Sequence, residues 1–525
     1  YMKLADIIDT FISGDWGEES PTQDTPNAAY CVRGADIVPI TNHNFADIPQ
    51  RYVCDRTKET KLLSAGDLVI EKSGGSPTQS TGRIVYVSED LISAKGSVVC
   101  SNFCTAFRVK ADWNPLYVYY YWQNLYNHGA FFNFEGKTSG IKNLQLDNAL
   151  SAIEIEYLPL EKQNQIVASL VSIDEKIKVN RQINDNLEAM AKQLYDYWFV
   201  QFDFPNEEGK PYKSSGGAMV WNKKLKREIP KAWYADNICK IANILSGGTP
   251  SKAVYDYWYN GTIPFFGPTD YNGNVFQIKT ADHITQKGLE HCASSLFEEG
   301  IIIITARGSI GKLVIVGTPM AMNQSCYALQ SKNGEFEYLY FLTTQLIDCL
   351  KAKGSGSVFK SIIASDIEHS ILCVATENIV SDFCKKVKPL FEKLKTNTIE
   401  IAELTKQRDE LLPLLMNGQA SVNYHLSAST SISFDISVLF LNFTNGNSLY
   451  ETISLDYQRF ALPSHSKEDT HGTIQDDKRH IQQRQRQGDK HARERISELH
   501  IEIIPRSKSF YYANEPIIRA IFPLF

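Results

Sequence analysis

Apolar or near-apolar side chains recur every three or four residues in two long stretches of the chain, and the second stretch repeats the first 217 positions later. In the first stretch the recurring positions are Ile166, Leu170, Ile173, Ile177, Asn180, Asn184, Leu187, Ala191, Leu194 and Trp198. In the second stretch they are Phe383, Val387, Leu390, Leu394, Asn397, Ile401, Leu404, Arg408, Leu411 and Leu415. Alternating steps of four and three form the seam of a coiled coil. The pattern therefore predicts two long helices that pack on each other.

Asn180 and Asn397 occupy the same seam position of the two predicted helices. A buried Asn in a seam costs stability, but it penalises shifted pairings and can fix the register of the two helices. The alternative is that each Asn lies at the solvated rim of the seam. Because both stretches carry Asn at this position, the coincidence favours a duplicated sequence over two unrelated amphipathic helices.

Short motifs upstream of each long stretch are also repeated, at an offset of 233 or 234 positions. The matched pairs are Ser13-Gly14 with Ser246-Gly247, Asp36 with Asp270, and Gly66 with Gly300. An apolar run typical of a buried strand follows Gly66, at 67–70, and another follows Gly300, at 301–304. Aromatic helices are predicted to begin at 117–121 and 338–342, and a loop of small residues follows each. The chain is therefore predicted to contain two related halves, each a globular module followed by a long helix.

Composition narrows the class of protein only slightly. The 525 residues include 54 basic and 60 acidic side chains, a net charge of −6, so a uniformly basic nucleic-acid binder is excluded but a local basic patch is not. Cys100 and Cys104 are the only close pair among ten cysteines, which predicts free thiols and no metal site. We expect no signal peptide, and the sequence contains no run of 18 apolar residues. We therefore expect a cytoplasmic protein without a membrane span.

Proline and glycine mark the ends of the predicted helices. Pro159 suits a first helical turn, Pro205 ends regular structure, and Asn417-Gly418 is a typical helix end. The linker that follows the first helix is rich in Gly, Lys, Ser and Pro. The predicted division is 1–158 for the first module, 159–204 for the first helix, 205–233 for the linker, 234–375 for the second module, 376–418 for the second helix and 419–525 for a tail without an assigned role, either disordered or appended.

Motifs of catalytic sites are approached but not completed. Gly136-Lys137-Thr138 would need a glycine at position 131 to form a phosphate-binding loop, and that position is Phe131. Asp-Trp-Asn-Pro-Leu at 112–116 lacks the second proline of the Asn-Pro-Pro-aromatic element of adenine methyltransferases. The 11 histidines do not fall into a Ser/His/Asp or His/Cys arrangement. We therefore expect no catalytic residue and no bound metal in this chain.

A family resemblance is carried by the first predicted helix and its flanks. Leu-Pro-Leu-Glu-Lys-Gln-Asn-Gln-Ile at 158–166, Ile-Asp-Glu-Lys-Ile at 173–177, Asn-Leu-Glu at 186–188 and Tyr-Asp-Tyr-Trp-Phe at 195–199 resemble the central conserved region of type I restriction-modification specificity subunits. The linker and second module also resemble that family, at 202–205, 221–222, 229–233, 245–250, 304–311 and 323–324. The resemblance extends from Lys3 to Val422, and the combination of motifs carries it rather than any single motif.

The resemblance implies an α+β fold with two tandem target-recognition domains, separated by two long conserved helices packed as an antiparallel coiled coil. It implies a DNA sequence-specificity subunit that is not itself an enzyme and that reads a bipartite target with an unread spacer. The implied partners are double-stranded DNA, two methyltransferase subunits and restriction/translocase subunits. S-adenosylmethionine, ATP and Mg are then expected on the partner subunits, with no cofactor bound by this chain. A prokaryotic cytoplasm is the implied location.

Paired helices could hold two reading modules at a fixed distance. A helix of about 40 residues rises about 60 Å, which corresponds to at most about 18 base pairs of DNA. The candidate DNA contacts in the first half are Lys72, Ser73, Arg83, Arg108, Lys137, Thr138 and Lys142. In the second half they are Thr249, Tyr271, Asn272, Arg307, Lys312, Lys353 and Lys360. For each residue the alternative is a solvated surface group or, for Arg307, a local contact that stabilises the fold.

The end of the first predicted helix carries a dense aromatic cluster. Tyr195, Trp198, Phe199 and Phe202 are candidate partner-binding residues, because an exposed aromatic cluster is typical of a protein interface. The alternative is that these rings pack the end of the helix against the modules. Two other functions remain open from the sequence. The first is a self-contained DNA adenine methyltransferase, which would transfer methyl groups without a partner, and the second is a purely structural coiled-coil adaptor, which would show no sequence preference on DNA.

Overall fold

A computed structural model describes residues 1–75, 79–138, 141–353 and 361–418, without the side chains of residues 137, 138, 141 and 353. The chain divides into two compact units. Among the described residues, one unit comprises 1–200 and 219–418, and the other comprises 201–218. The predicted tail at 419–525 lies outside the described residues. No helix in the described part of the chain combines the length and apolarity needed to cross a membrane.

The first half of the larger unit is mixed α and β. Its strands are β1 (Met2–Lys3), β2 (Ile8–Ser13), β3 (Asn27–Val32), β4 (Gln50–Val53), β5 (Leu68–Glu71), β6 (Ser73–Gly74), β7 (Ile84–Tyr86), β8 (Val98–Cys100), β9 (Cys104–Val109), β10 (Glu135–Thr138), β11 (Ile141–Leu144) and β12 (Glu154–Ile155). Its helices are α1 (Ile37–Thr41), α2 (Asp55–Thr60), α3 (Glu89–Lys95), α4 (Pro115–Asn127) and α5 (Leu146–Ala152). The long helix α6 (Leu160–Tyr195) follows and continues into a π-helical turn at Asp196–Val200.

The second half begins with a hairpin and ends with the other long helix. Its strands are β13 (Met219–Asn222), β14 (Arg227–Pro230), β15 (Tyr234–Asn237), β16 (Ala242–Ser246), β17 (Ile263–Phe266), β18 (Phe276–Gln277), β19 (Asp282–Ile284), β20 (Ile302–Thr305), β21 (Leu313–Val316), β22 (Ala321–Met322), β23 (Cys326–Ser331) and β24 (Ile371–Val374). Its helices are α7 (Gln286–Glu290), α8 (Phe336–Lys353), α9 (Ala364–Glu368) and α10 (Glu377–Met416).

The two halves share one topology. One sheet of the first half has the strand order β2-β9-β5-β7, and the second half repeats it as β16-β23-β20-β21, with β18 added at the edge. A second sheet, β4-β3-β8, corresponds to β19-β17-β22, and the last two strands are parallel in both. The outer pair β1 and β12 likewise corresponds to β15 and β24. The predicted α+β fold with two tandem domains is therefore confirmed.

The matched Ser-Gly motifs lie at equivalent close approaches of the backbone. A Cβ atom on Gly14 would lie 1.9 Å from the carbonyl oxygen of Ser101, and one on Gly247 would lie 2.1 Å from that of Asn323. Only glycine fits such a contact, because any side chain would overlap with the facing backbone. Each motif thus holds the end of a strand against the loop that precedes the strand beside it, β9 in the first half and β23 in the second.

The matched aspartates also have the same local role. Asp36 Oδ2 accepts the backbone N–H of Arg33 at 2.8 Å, and Asp270 Oδ2 accepts that of Gly267 at 2.8 Å. Both residues close a short 3-10 turn after the strand that leads into it. The sequence match at this offset therefore reflects a repeated structural element as well as a repeated residue type.

Helices α6 and α10 pack on each other in antiparallel orientation. Arg408 Nη1 lies 3.0 Å from Asp174 Oδ1 near one end of the pair, and the rings of Tyr195 and Phe383 are 5.9 Å apart near the other. Every predicted seam position in both helices is buried or half-buried. Because the pairing runs over most of both helices, the predicted antiparallel coiled coil is confirmed.

The two asparagines that face each other across the seam are not the two that occupy matching positions in the sequence repeat. Asn397 is fully buried, and its Nδ2 donates to Asn184 Oδ1 at 3.0 Å. Asn184 Nδ2 in turn donates to Thr398 Oγ1 at 3.3 Å. Asn180 is half-buried elsewhere on the seam. In an antiparallel pair, residues at matched sequence positions do not face each other unless they lie at the centre, so Asn184 and not Asn180 faces Asn397.

Candidate nucleic-acid interface

Four loops of the second half meet at one place. The hydroxyl of Thr249 is hydrogen-bonded to the side chain of Gln324, which joins the loop after β16 to the loop before β23. The backbone N–H groups of Ala306 and Arg307 donate to the carbonyl oxygen of Ser325 at 2.8 and 3.2 Å. The loop after β17 joins them, because its Gly267 lies against the loop before β23. Together the loops 246–251, 267–274, 305–312 and 323–325 form what we call the second loop cluster.

The hairpin loop after β20 is held in shape from inside. Thr305 is buried, and its hydroxyl accepts the backbone N–H of Lys312 at 3.0 Å while it is also hydrogen-bonded to the carbonyl oxygen of Ser309. Gly308 and Gly311 have φ angles of +78° and +74°, which side-chain-bearing residues rarely adopt. The loop is therefore preorganised, and its outer side chains are presented from a fixed backbone.

The second loop cluster contains five of the seven predicted contacts of this half, Thr249, Tyr271, Asn272, Arg307 and Lys312. Arg307 is exposed and makes no ion pair with the part of the chain that the structure describes. Lys312 Nζ lies 5.2 Å from the ring centre of half-buried Tyr271, and Asn272 is exposed beside it. Burial raises the pKa of the Tyr271 phenol, so it stays a neutral hydrogen-bond donor. Lysine and arginine side chains bind phosphate groups, and arginine also binds guanine edges, while amide and hydroxyl groups can hydrogen-bond to base edges or to phosphates.

The first half forms a similar cluster around the strand end at β5. The backbone N–H groups of Lys72 and Ser73 both donate to the carbonyl oxygen of Phe103, at 2.8 and 3.0 Å. The Ser73 hydroxyl is hydrogen-bonded to the Asn143 side chain on β11. Lys72 is half-buried and lines a cavity of about 450 Å³ that Gln145 also borders. The segment of Lys72 and Ser73 is therefore held against the loop before β9 and against β11, with polar neighbours.

Three predicted contacts of the first half are engaged in ion pairs. Arg83 forms a two-point pair with Glu71, at 2.8 and 2.6 Å, and Arg108 forms one with Asp67, at 2.8 and 3.0 Å. Both carboxylates are buried, so losing either guanidinium would leave a buried charge unpaired. Lys142 pairs with a glutamate of β10 at 3.1 Å. These cations stabilise the fold, and we do not include them in the proposed interface.

Four other candidates lie outside what the structure describes. The side chains of Lys137, Thr138 and Lys353 and the whole of Lys360 belong to this group. Their assignment as DNA contacts stays a prediction from the sequence. Gln324 and Ser325, by contrast, were not among the candidates, although the loop that holds them organises the second loop cluster. The available signal was the Asn-Gln motif at 323–324, to which Gln324 belongs and which Ser325 follows.

The aromatic cluster at the end of α6 is buried, with Tyr195 2% exposed, Trp198 1%, Phe199 5% and Phe202 2%. The Tyr195 ring lies 5.1 Å from that of Phe341, and the Phe199 ring lies 5.0 Å from that of Phe383. The prediction of an exposed aromatic partner surface is therefore wrong. The rings of Tyr195, Trp198 and Phe199 instead fill the core where α6 and α10 meet the second half, as the alternative interpretation held.

Among the described residues, neither metal ligands nor thiols form a further candidate site. In the ranges that the structure describes, no three His, Cys, Asp or Glu side chains are grouped so that they could hold a metal ion. All ten cysteines are free thiols, and burial raises the pKa of the buried Cys104 thiol to about 11. Such thiols stay protonated and behave as small apolar side chains.

Comparisons of the sequence with known proteins point to one family. The sequence model described as "Type I restriction modification DNA specificity domain" matches residues 4–189 and 230–374, together more than half of the chain. The chain is 30% identical over 282 residues to the type I restriction enzyme MjaIX specificity subunit of Methanocaldococcus jannaschii. It is 24% identical over 324 residues to the type I restriction enzyme HindI specificity subunit of Haemophilus influenzae.

These matches cover 52% of this chain in both cases, and they span 62% of the first relative and 70% of the second. Among solved structures, the S subunit of a type I restriction-modification system from M. genitalium matches with a TM-score of 0.45 and 15% identity. That match covers 79% of this chain and 94% of the other.

Proposed function

Because the chain belongs to the family of type I restriction-modification DNA specificity domains, we propose that it reads a bipartite DNA target. Each half reads one short sequence, and the base pairs between the two sequences are not read. The chain carries out no chemistry itself. It directs partner methyltransferase subunits, and restriction/translocase subunits where these are present, to the target in the cytoplasm of a prokaryotic cell.

The observation that carries this proposal is the attachment of two equivalent globular modules, one from each half, to opposite ends of one helix pair. The core of the first half includes Leu170 near the start of α6 and Leu415 near the end of α10. The second half packs on the other ends, where Phe336 contacts Phe391 of α10 and Tyr338 contacts Tyr195 of α6. Since both ends are buried contacts, the distance between the two halves is fixed by the helices.

The helix length sets the scale of the proposed target. Helix α6 has 36 residues, which rise about 54 Å, equivalent to about 16 base pairs of B-form DNA. The two reading surfaces are then separated by no more than this distance. A bipartite target of defined spacing follows, because neither half can slide along the DNA independently of the other.

The reading chemistry is proposed for the loops rather than for the sheets. In the second half, Arg307 and Lys312 would contact phosphate groups and Thr249, Tyr271 and Asn272 would contact base edges. In the first half, Lys72 and Ser73 have the corresponding position. We assign S-adenosylmethionine, ATP and Mg to the partner subunits, because only those subunits would carry out methyl transfer or ATP-driven cleavage.

The proposal is tested by methylation mapping in cells that express this chain with its methyltransferase partner. We expect one methylated motif made of two short sequences with a constant spacer. Leu187→Asp combined with Leu404→Asp places charges in the seam and should abolish methylation of the split motif. Methyl transfer by the purified chain alone would instead support a self-contained methyltransferase, and methylation without sequence preference would support a structural adaptor.

A further inference from the structure

The hairpin that links α6 to the second half concentrates positive charge on an acidic chain. Strands β13 and β14 pair in antiparallel register, with Asn222 opposite Arg227. Residues 223–231 contain four lysines and one arginine against one glutamate, whereas the whole chain has a net charge of −6. We call residues 219–231 the linker hairpin. Its charge density sets it apart from its surroundings.

The base of the linker hairpin is firmly anchored. Ile229 is 1% exposed and Trp233, just after the hairpin, is 5% exposed. The Trp233 ring lies 5.6 Å from that of Phe199, and Arg227 Nη2 donates to the carbonyl oxygen of Val200 at 3.2 Å. The hairpin is therefore fixed to the end of α6, and it leads directly into β15 of the second half. Its turn is held in one place relative to that half.

The turn of the hairpin is preorganised and presents its lysines to solvent. Asn222 Oδ1 accepts the backbone N–H groups of Lys224 and Leu225 at 3.0 and 3.1 Å. Lys226 has a φ of +51°, a left-handed conformation that glycine adopts at lower cost. Lys223, Lys224 and Lys226 are exposed and form no ion pair with any residue that the structure describes. Within the described residues, three exposed ammonium groups thus have no carboxylate partner.

We propose that the turn of the linker hairpin binds phosphate groups of double-stranded DNA next to the sequence that the second half reads. Lys223, Lys224 and Lys226 supply the contacts, and they add affinity without adding sequence information. An ammonium group is a point charge on a flexible stem, which suits phosphate oxygens better than the edges of particular bases. DNA fits the turn because its backbone is a dense line of negative charge. This inference rests on the proposed function, since it places DNA at the second half.

The test compares charge-removing variants that keep the turn intact. Lys226→Gly removes one cation at a residue whose backbone conformation favours glycine, so the turn is expected to form at least as well as before. A triple variant adds Lys223→Gln and Lys224→Gln. As a matched control, the exposed Lys110, Lys162 and Lys240 are changed to Gln, which removes the same charge elsewhere on the surface.

The measurement is the dissociation constant of the full chain with its methyltransferase partner, on duplexes with and without the target, over a series of salt concentrations. Each phosphate contact that is lost should reduce the slope of log affinity against log salt by about 0.9. We therefore expect a slope reduced by about 0.9 in the single variant and by up to about 2.7 in the triple variant. The ratio of affinities for the two duplexes should not change, and the control should retain the original slope.

Two results would overturn the inference. One is an unchanged salt slope in a triple variant that melts at the same temperature as the original protein. The other is an unchanged slope together with weaker association with the methyltransferase partner, which would identify the turn as a contact for an acidic protein surface. Equal affinity of the unaltered chain for both duplexes would refute the proposed function, whereas the salt slope alone decides the role of the linker hairpin.

Discussion

Replacing Arg408 by alanine should loosen the attachment of the first half to the helix pair. Arg408 Nη1 lies 3.0 Å from Asp174 Oδ1, and the Tyr120 hydroxyl donates to the other oxygen of Asp174 at 2.5 Å. These three residues join α4, α6 and α10 at one point. Without the guanidinium, the Asp174 carboxylate keeps only one of its two partners there.

The size of the effect follows from the partial burial of the pair. The Arg408 and Asp174 side chains are 27% and 31% exposed. Exposed pairs contribute about 0.2–1 kcal/mol, whereas breaking a buried pair costs about 3–5 kcal/mol. We therefore expect Arg408→Ala to cost about 1–2 kcal/mol of local stability, which corresponds to hydrogen exchange faster by about 5–30-fold.

The assay is native-state hydrogen exchange of peptides from the α6 segment around Asp174. Asp174→Asn combined with Arg408→Ala completes a double-mutant cycle, and the coupling should account for most of the loss in Arg408→Ala. The second half provides an internal control. In the second half, Phe341 and Phe391 occupy the positions that match Tyr120 and Asp174, and their rings are 6.0 Å apart. No ion pair is lost there, so hydrogen exchange at that end should not change. Unchanged exchange around Asp174, or a coupling near zero, would refute the reasoning.

Three further predictions concern the fold. Leu394→Ala should destabilise the protein by about 2–5 kcal/mol because the side chain is 2% exposed in the seam, whereas Ile399→Ala, at a position 45% exposed, should have a much smaller effect in the same denaturant titration; equal effects would contradict the seam. Gly247→Ala should distort the second loop cluster and weaken target binding, because its Cβ would lie 2.1 Å from a backbone oxygen. The control variant Gly136→Ala, whose Cβ would have its nearest neighbour at 3.5 Å, should fold normally. A Gly247→Ala protein that folds and binds its target normally would count against that close approach. Burial raises the pKa of the Glu337 carboxyl, so the stability that it contributes is present below its ordinary pKa and is lost as pH rises through the raised value. Glu337→Gln should therefore melt at a higher temperature than the original protein at neutral pH but not in acid. The same difference in melting temperature at every pH would disprove this.

The seam and the duplication were predictable because they depend on local periodicity and on repeated spacing. The alternation of apolar residues identified both long helices, and the matched glycines and aspartates proved to have matched structural roles. The pairing of Asn184 with Asn397 was harder to predict from the sequence. It depends on the relative direction of two helices, which a repeated pattern within each helix does not determine.

The contact residues were harder to predict because their availability depends on distant partners. Arg83 and Arg108 look like free cations in the sequence, yet sheet pairing brings them beside the buried carboxylates of Glu71 and Asp67. The aromatic residues at the end of α6 look like an exposed cluster, but the second half covers rings such as that of Phe199. A single sequence shows the type of each side chain and not which surface it meets after folding.

The central claim is that a helix pair of fixed length separates two reading halves. Its most direct test is to insert seven residues into α6 and seven into α10, at the level of the Asn184 and Asn397 pair, and to map methylation in cells. Seven residues lengthen each helix by about 10.5 Å, or about three base pairs. The claim predicts that both short sequences stay the same while the spacer grows by about three base pairs. An unchanged spacer in a protein that still methylates DNA would contradict it.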